Sequence, residues 1–252
     1  LMFAQEVYRQ VAEAYLGGLE DMAARGGDLS RIASVASFFV SRIDVAVDKL
    51  LDEKIARTSD AGAKAGLESL KGKTAIANAK MAYQDYKRLF AGPRWDAIKA
   101  KGARPQRLLW ASTGTKNKAY SDVMYVDGLI GADTVNTLPP ATLAAFRDHG
   151  NARLTIEENL DEARRVLEGV AAAGISLEAV TDKLVIDGVQ LFADAADQLL
   201  GAVAAKRAGY LGTALDGTEL ALGGLQKAFD DGAEEWRAKG LIRRLWQHDK
   251  SV

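Results

Sequence analysis

RLLWASTGTKN, residues 107–117, decides how the chain folds. Leu108, Leu109 and Trp110 form a short apolar run that fits a buried strand. Ser112, Thr113, Gly114 and Thr115 break the run with small and hydroxylated residues, and Lys116 and Asn117 follow at once. A strand that ends in a small-residue turn beside a cation can hold an anion. The turn offers hydroxyls and backbone N–H groups, and the lysine offers charge. The same residues also fit an ordinary strand–loop junction with a solvated lysine, so the neighbouring stretches must decide.

Upstream, residues 1–3 look like the end of a strand. Val7, Val11, Tyr15, Leu19 and Met22 repeat at helical spacing through residues 6–25, and Gly26-Gly27 stops that helix. Residues 31–40, RIASVASFFV, read as a second buried strand, and Asp44 is a plausible N-cap for the helix behind it. Val47, Leu50, Leu51 and Ile55 mark that helix, and a further one is expected over residues 67–90 before Gly92-Pro93 breaks it. A short helix is expected at 95–100, and residues 122–129 are ambiguous.

Downstream, residues 133–138 (DTVNTL) predict a third short strand, and Pro139-Pro140 leads into a helix over 142–148. Helices are expected at 157–173, 177–184, 189–210 and 234–246, with a Gly- and Thr-rich linker at 211–219. Phe192, Leu199 and Val203 fall on one face.

Strands alternating with helices argue for an α/β class with a parallel sheet. Short buried strands and the lack of a GxGxxG turn favour a (β/α)8 barrel over an open nucleotide-binding sheet. Such a barrel needs about eight strands, whereas three and the tail of a fourth are legible here. The expected architecture is therefore a partial (β/α)8 TIM barrel with long helical insertions and a helical C-terminal extension. The openings at Leu1 and Val252 lead us to expect a piece of a longer chain. Half a barrel would leave sheet edges and core uncovered, so a poorly stable or self-associating chain is expected.

With 252 residues and 48% hydrophobic content there is enough apolar material for one sizeable core. A net charge of −1 argues against nucleic-acid binding. The absence of cysteine removes disulfide and thiol chemistry and fits a cytoplasmic setting. Two histidines, His149 and His248, leave little from which to build a His-rich metal site or a Ser/His/Asp triad. No run of 18 apolar residues suggests a membrane span.

Three stretches taken together resemble the transaldolase family: residues 34–44 (SVASFFVSRID), residues 108–117 followed by Tyr120-Ser121-Asp122, and residues 133–139 (DTVNTLP). They are similar to the sixth, seventh and eighth strands of that family's barrel, in order. Residues 7–20 (VYRQVAEAYLGGLE) resemble the helix after the fifth strand, so the resemblance runs from the end of strand five through strand eight, over residues 1–210. The insertion between strands six and seven is similar to the actinobacterial and cyanobacterial branch. Residues 235–246, with WRAKG and RRLW, resemble the junction in proteins where transaldolase is fused to glucose-6-phosphate isomerase, which makes 211–252 a linker and helix leading to that domain.

The resemblance implies transfer of a dihydroxyacetone unit between sugar phosphates through a lysine Schiff base, with no cofactor. It also implies that the catalytic lysine, aspartate and glutamate belong to strands preceding Leu1, so that this chain alone is inactive. What it assigns here is substrate binding. Ser37 and Arg42 match the strand-six serine and arginine, and Ser112 matches the strand-seven serine. Lys116 lies near the place of a second phosphate-binding arginine, although Gly114-Thr115 lengthens the turn and lysine loses the bidentate fork.

Each assignment has a plainer counterpart. Arg42 could pair with Asp44 or Asp48, and the Ser37 hydroxyl could serve backbone. Asn136 could line the barrel mouth or end its strand, while Trp110, Phe38 and Phe39 read as packing. Lys116 follows a hydrophilic turn beside Lys118, a poor setting for a nucleophile that needs a lowered pKa. Lys49, Lys54, Lys71 and Lys73 read as solvated on polar helix faces. An alternative to the enzyme is a non-catalytic sugar-phosphate-binding or interaction module.

Overall fold

Three short parallel strands carry the fold: β1 (Val35–Phe39), β2 (Arg107–Ala111) and β3 (Thr134–Asn136), lying side by side in chain order. Met2 extends the sheet beyond β1 by a parallel bridge to Phe38, and its carbonyl accepts the Phe39 N–H at 2.8 Å. The computed structural model describes residues 1–212, 220–246 and 248–251, and the chain forms two compact units, 1–185 and 186–252. The chain is α/β and helix-rich, as the strand–helix alternation implies.

In the first unit, α1 (Gln5–Ala24) precedes β1, and four helices separate β1 from β2. These are α2 (Ser41–Arg57), α3 (Ala61–Glu68), α4 (Thr74–Leu89) and α5 (Pro93–Lys99). After β2 come the single turn α6 (Met124–Asp127), then β3, α7 (Pro140–His149) and α8 (Leu160–Ala172).

Strand alternation sorts the side chains. Ala36, Phe38, Leu108 and Trp110 are buried under helices, whereas Ser37, Phe39 and Leu109 point to a half-buried face. Trp110 meets Phe38 edge-on at 6.1 Å and donates its indole N–H to the Leu129 carbonyl at 3.1 Å. Ile43, Val47 and Leu51 form the fully buried stripe of α2, and the small residues Ala75, Ala79 and Ala82 let α4 join the same core. Each such large apolar side chain contributes roughly 1.5–3 kcal/mol on burial.

Several local expectations need correction. Asp44 is not an N-cap: α2 starts at Ser41, Val40 occupies the cap position, and Asp44 is buried in the first turn. The helix expected over 67–90 is broken, because α3 ends at Glu68 and residues 69–73 turn before α4. Lys71 and Lys73 therefore sit in that turn, where they pair with Asp52 at 2.5 Å and with Glu162 at 3.4 Å. Lys54 is half-buried rather than solvated. The two helices expected at 177–184 and 189–210 are one, α9 (Leu177–Leu211).

In the second unit the single helix expected over 234–246 is two, α10 (Gln226–Ala238) and α11 (Leu241–Trp246). Gly201 of α9 lets the α10 end come close, since a Cβ there would stand 2.5 Å from the Arg237 carbonyl oxygen. Residues 213–219 of the expected linker lie outside the described residues.

Candidate active-site rim

In parallel α/β sheets, ligands gather where the strands end at their carboxyl side. Here each strand leaves the sheet through hydroxyl-bearing residues. Ser41 comes two residues after β1, Ser112 and Thr113 follow β2, and Thr137 follows β3. Backbone bonds fix them to one another: the Val40 N–H donates to the Ala111 carbonyl at 3.0 Å, and the Ser41 N–H to the Ser112 carbonyl at 3.1 Å. The Ser41 and Ser112 hydroxyls lie 3.0 Å apart. Ser112 adopts φ 57°, the left-handed region that a non-glycine residue enters at a cost.

The buried Thr113 donates its hydroxyl to Asn136 Oδ1 at 2.8 Å, so Asn136 ends its strand by bonding to the neighbouring turn. Thr137 donates both its N–H and its hydroxyl to the Trp110 carbonyl, at 3.1 and 3.2 Å. Gly114 is hemmed in: a Cβ would meet Pro139 and Thr142 at 3.3 Å, and Lys116 Nζ at 3.9 Å. The Lys116 ammonium thus turns back over the Gly114 backbone.

Of the predicted site residues, Ser112 is at this rim, tied to Ser41. Arg42 stands in the first turn of α2, exposed, and Lys116 is exposed at the far side of the β2 turn. Ser37 sits lower, half-buried in β1 opposite Leu109. Among the described residues, neither Arg42 nor Lys116 has an ion pair. The pairing of Arg42 with Asp44 or Asp48 does not occur, because both carboxylates are occupied. Asp44 accepts the Ala75 N–H at 2.8 Å and the Tyr125 hydroxyl at 2.9 Å. Asp48 accepts the Gly72 N–H at 3.0 Å and the Tyr120 hydroxyl at 2.7 Å. The two aspartates fasten the start of α4 to α2.

Burial raises the Asp44 carboxyl from 3.8 to about 6, with the nearby Asp48 adding to it and the bonds from Ala75 and Tyr125 opposing it. Burial likewise pushes the Tyr120 and Tyr125 phenols up, so both remain donors. Asp44, Asp48, Lys116, Tyr120 and Tyr125 line a groove of about 420 Å³.

Among the described residues Lys80 of α4 is the one buried lysine; it donates to the Glu158 carbonyl at 2.6 Å and joins α4 to the chain before α8. Burial lowers its pKa, yet its ammonium is held by that carbonyl and not at the strand ends. Among the described residues no cluster of His, Asp and Glu could hold a metal, and no helix is long and apolar enough to cross a membrane. Sequence reasoning named Thr113 within the hydroxyl-bearing turn but missed Ser41 and Thr137 as rim residues, although a hydroxyl residue within two positions of each strand end was there to read.

The family model described as transaldolase/fructose-6-phosphate aldolase matches residues 1–203. A transaldolase of Trichodesmium erythraeum is 52% identical over 194 residues, which are 76% of this chain and 51% of that protein. Transaldolase 2 of Nostoc sp. PCC 7120 is 48% identical over 209 residues, 82% of this chain and 55% of its own length. A transaldolase of Neisseria gonorrhoeae is 45% identical over 200 residues, 79% and 53% of the two chains. The chain spans about half the length of the curated relatives it matches.

Proposed function

Because this chain belongs to the transaldolase/fructose-6-phosphate aldolase family, we propose that it is the phosphate-binding part of a transaldolase. The parent enzyme would move a dihydroxyacetone unit from sedoheptulose 7-phosphate to glyceraldehyde 3-phosphate, giving erythrose 4-phosphate and fructose 6-phosphate. On this reading β1, β2 and β3 are three neighbouring strands of a (β/α)8 barrel. Their sequential parallel order and the half-buried face carrying Ser37 and Leu109 support it.

The observation that carries the proposal is Arg42, exposed and without an ion pair, next in the chain to Ser41 of the Ser41–Ser112 hydroxyl pair. A planar fork of donors suits a phosphate monoester. Arg42 grips the phosphate, Ser112 and Ser37 face the sugar, and Lys116 adds charge over the Gly114 turn. The Schiff-base lysine belongs to a strand outside these residues. Lys116 is exposed and Lys80 is bound to a carbonyl, so neither has the dry, free amine that such chemistry needs. Residues 204–252 lie beyond the family match, and the WRAKG and RRLW resemblance supports reading 211–252 as a linker and helix that would lead to a glucose-6-phosphate isomerase domain.

Two measurements test this. Calorimetric titration with fructose 6-phosphate should show Arg42→Gln binding about 10- to 100-fold more weakly, since a charge-assisted hydrogen bond contributes roughly 1.5–3 kcal/mol. Unchanged affinity would remove Arg42 from the site. Borohydride treatment with fructose 6-phosphate should leave this chain unmodified, and an adduct mapped to Lys116 would overturn the assignment of the nucleophile. Normal donor binding by a protein that includes the upstream strands, without turnover, would favour the binding-module alternative.

A further inference from the structure

Residues 112–123 connect β2 to α6 and carry both Ser112 and Lys116. Two bonds fold this loop on itself: the Thr115 hydroxyl donates to the Ser121 carbonyl at 2.8 Å, and the Tyr120 N–H to the Asn117 carbonyl at 3.1 Å. They shape the loop without fixing it to the rest of the chain, and Lys116, Asn117, Lys118 and Ala119 are exposed. Among the described residues, the hydrogen bond that ties 114–121 to another part of the fold runs from the Tyr120 hydroxyl to Asp48, at 2.7 Å. A slot receives that side chain. One wall is Gly72, in the turn between α3 and α4, whose N–H donates to the other Asp48 oxygen at 3.0 Å. Gly72 has φ 69°, and a Cβ there would stand 2.8 Å from the Tyr120 ring, so both the backbone and the space require glycine.

Asp48 is buried and belongs to α2, the helix that begins with Ser41 and Arg42. Tyr120 therefore links the loop bearing Lys116 to the helix bearing Arg42, through a bond to a charged acceptor, which is stronger than a neutral one. Lys116, Asp48 and Tyr120 line the same groove. An exposed lysine on an untethered loop would have to be ordered when its anion arrives, and that ordering weakens binding. We propose that Tyr120 is a positioning residue for sugar-phosphate binding. Seated between Asp48 and Gly72, it fixes the 114–121 loop so that the Lys116 ammonium is held at the rim before a phosphate arrives. The inference rests on the phosphate role proposed for Lys116. The insertion between β1 and β2 then takes part in binding, because it supplies the Gly72 wall.

Tyr120→Phe keeps the ring against Gly72 and removes only the bond, so circular dichroism should be unchanged. Two readouts on the full 252-residue chain test the proposal. Brief trypsin treatment should cut after Lys116 and Lys118 roughly tenfold faster in Tyr120→Phe, since a hydrogen bond to a charged group holds the loop closed by about that factor. Calorimetric titration with fructose 6-phosphate should show Tyr120→Phe binding about tenfold more weakly, with no further loss when it is added to Lys116→Gln. Equal weakening in both backgrounds would mean that Tyr120 does not act through Lys116, and would overturn the proposal, as would unchanged cleavage. Unchanged affinity in Tyr120→Phe, with the wild type binding, refutes the positioning role and leaves the phosphate reading standing. A wild type that binds no fructose 6-phosphate refutes the phosphate reading itself, and the positioning role falls with it.

Discussion

Asp44→Asn should change how stability depends on pH, and the size of the change follows from the site. The wild-type carboxyl is 1% exposed, and burial raises it from 3.8 to about 6. Between those values the folded chain keeps a proton that the unfolded chain has released. Stability therefore falls as pH rises through this window and levels off above about 6. At about 1.4 kcal/mol per decade of proton affinity, the full loss is about 3 kcal/mol, of which about 2 kcal/mol lies between about pH 4.5 and 7.5. An asparagine keeps the acceptor for the Ala75 N–H and turns its amide toward Tyr125, whose hydroxyl can accept instead.

Urea unfolding followed by circular dichroism across that range would measure both proteins. Carboxylates held low by hydrogen bonds, such as Asp28 and Asp249, give the opposite slope, but they are common to both and cancel in the difference. The variant should gain about 2 kcal/mol on the wild type as pH rises from about 4.5 to 7.5. Parallel profiles would mean that the Ala75 and Tyr125 donors outweigh desolvation, and the reasoning would fail.

Other substitutions test neighbouring parts. Trp110→Ala removes a fully buried indole, its edge contact with Phe38 and its bond to the Leu129 carbonyl, and should cost about 3–5 kcal/mol in denaturant unfolding. Ser112→Ala should be less stable than Ser112→Gly by about 1–2 kcal/mol, since both lose the bond to Ser41 but only alanine keeps the left-handed strain; equal stabilities would deny the strain. His149 bridges Asp122 at 2.8 Å and Asp148 at 3.0 Å, and these bonds, that to Asp122 first, raise its pKa above 6.5. Its contribution is present in full below about pH 6.5 and lost as pH rises through the folded value, so the gap to His149→Gln should narrow on that rise. A proton NMR titration of the imidazole giving a pKa at or below 6.5 would contradict the bridge.

β1 and β2 were legible because each is a short apolar run closed by turn residues, and the end of α1 because Gly26 takes φ 74°, where glycine is at ease. What local pattern could not show was anything joining distant residues. Asp44 before an apolar stripe looks like a cap, and only the fold reveals that its partners are Ala75 and Tyr125, 31 and 81 residues away. Helices expected separately at 177–184 and 189–210 are one, and α9 continues through Gly188 although glycine weakens helices. The hydroxyls after each strand were visible, but their assembly depends on register: Phe39 stands opposite Ala111, so Ser41 and Ser112 arrive together.

The same long-range bonds explain why cations stand free at the rim. In sequence, Arg42 is followed by Asp44 and Asp48, and Lys116 by Asp122, so the region looks self-neutralising. In the fold Asp44 and Asp48 turn to the start of α4 and to two tyrosines, and Asp122 turns to His149. The insertion between β1 and β2 therefore does more than decorate the sheet. By supplying the Gly72 and Ala75 donors to the two aspartates, it leaves Arg42 and Lys116 without an ion pair among the described residues. On the proposed reading, a phosphate monoester would supply the negative charge that Arg42 and Lys116 do not find in an ion pair.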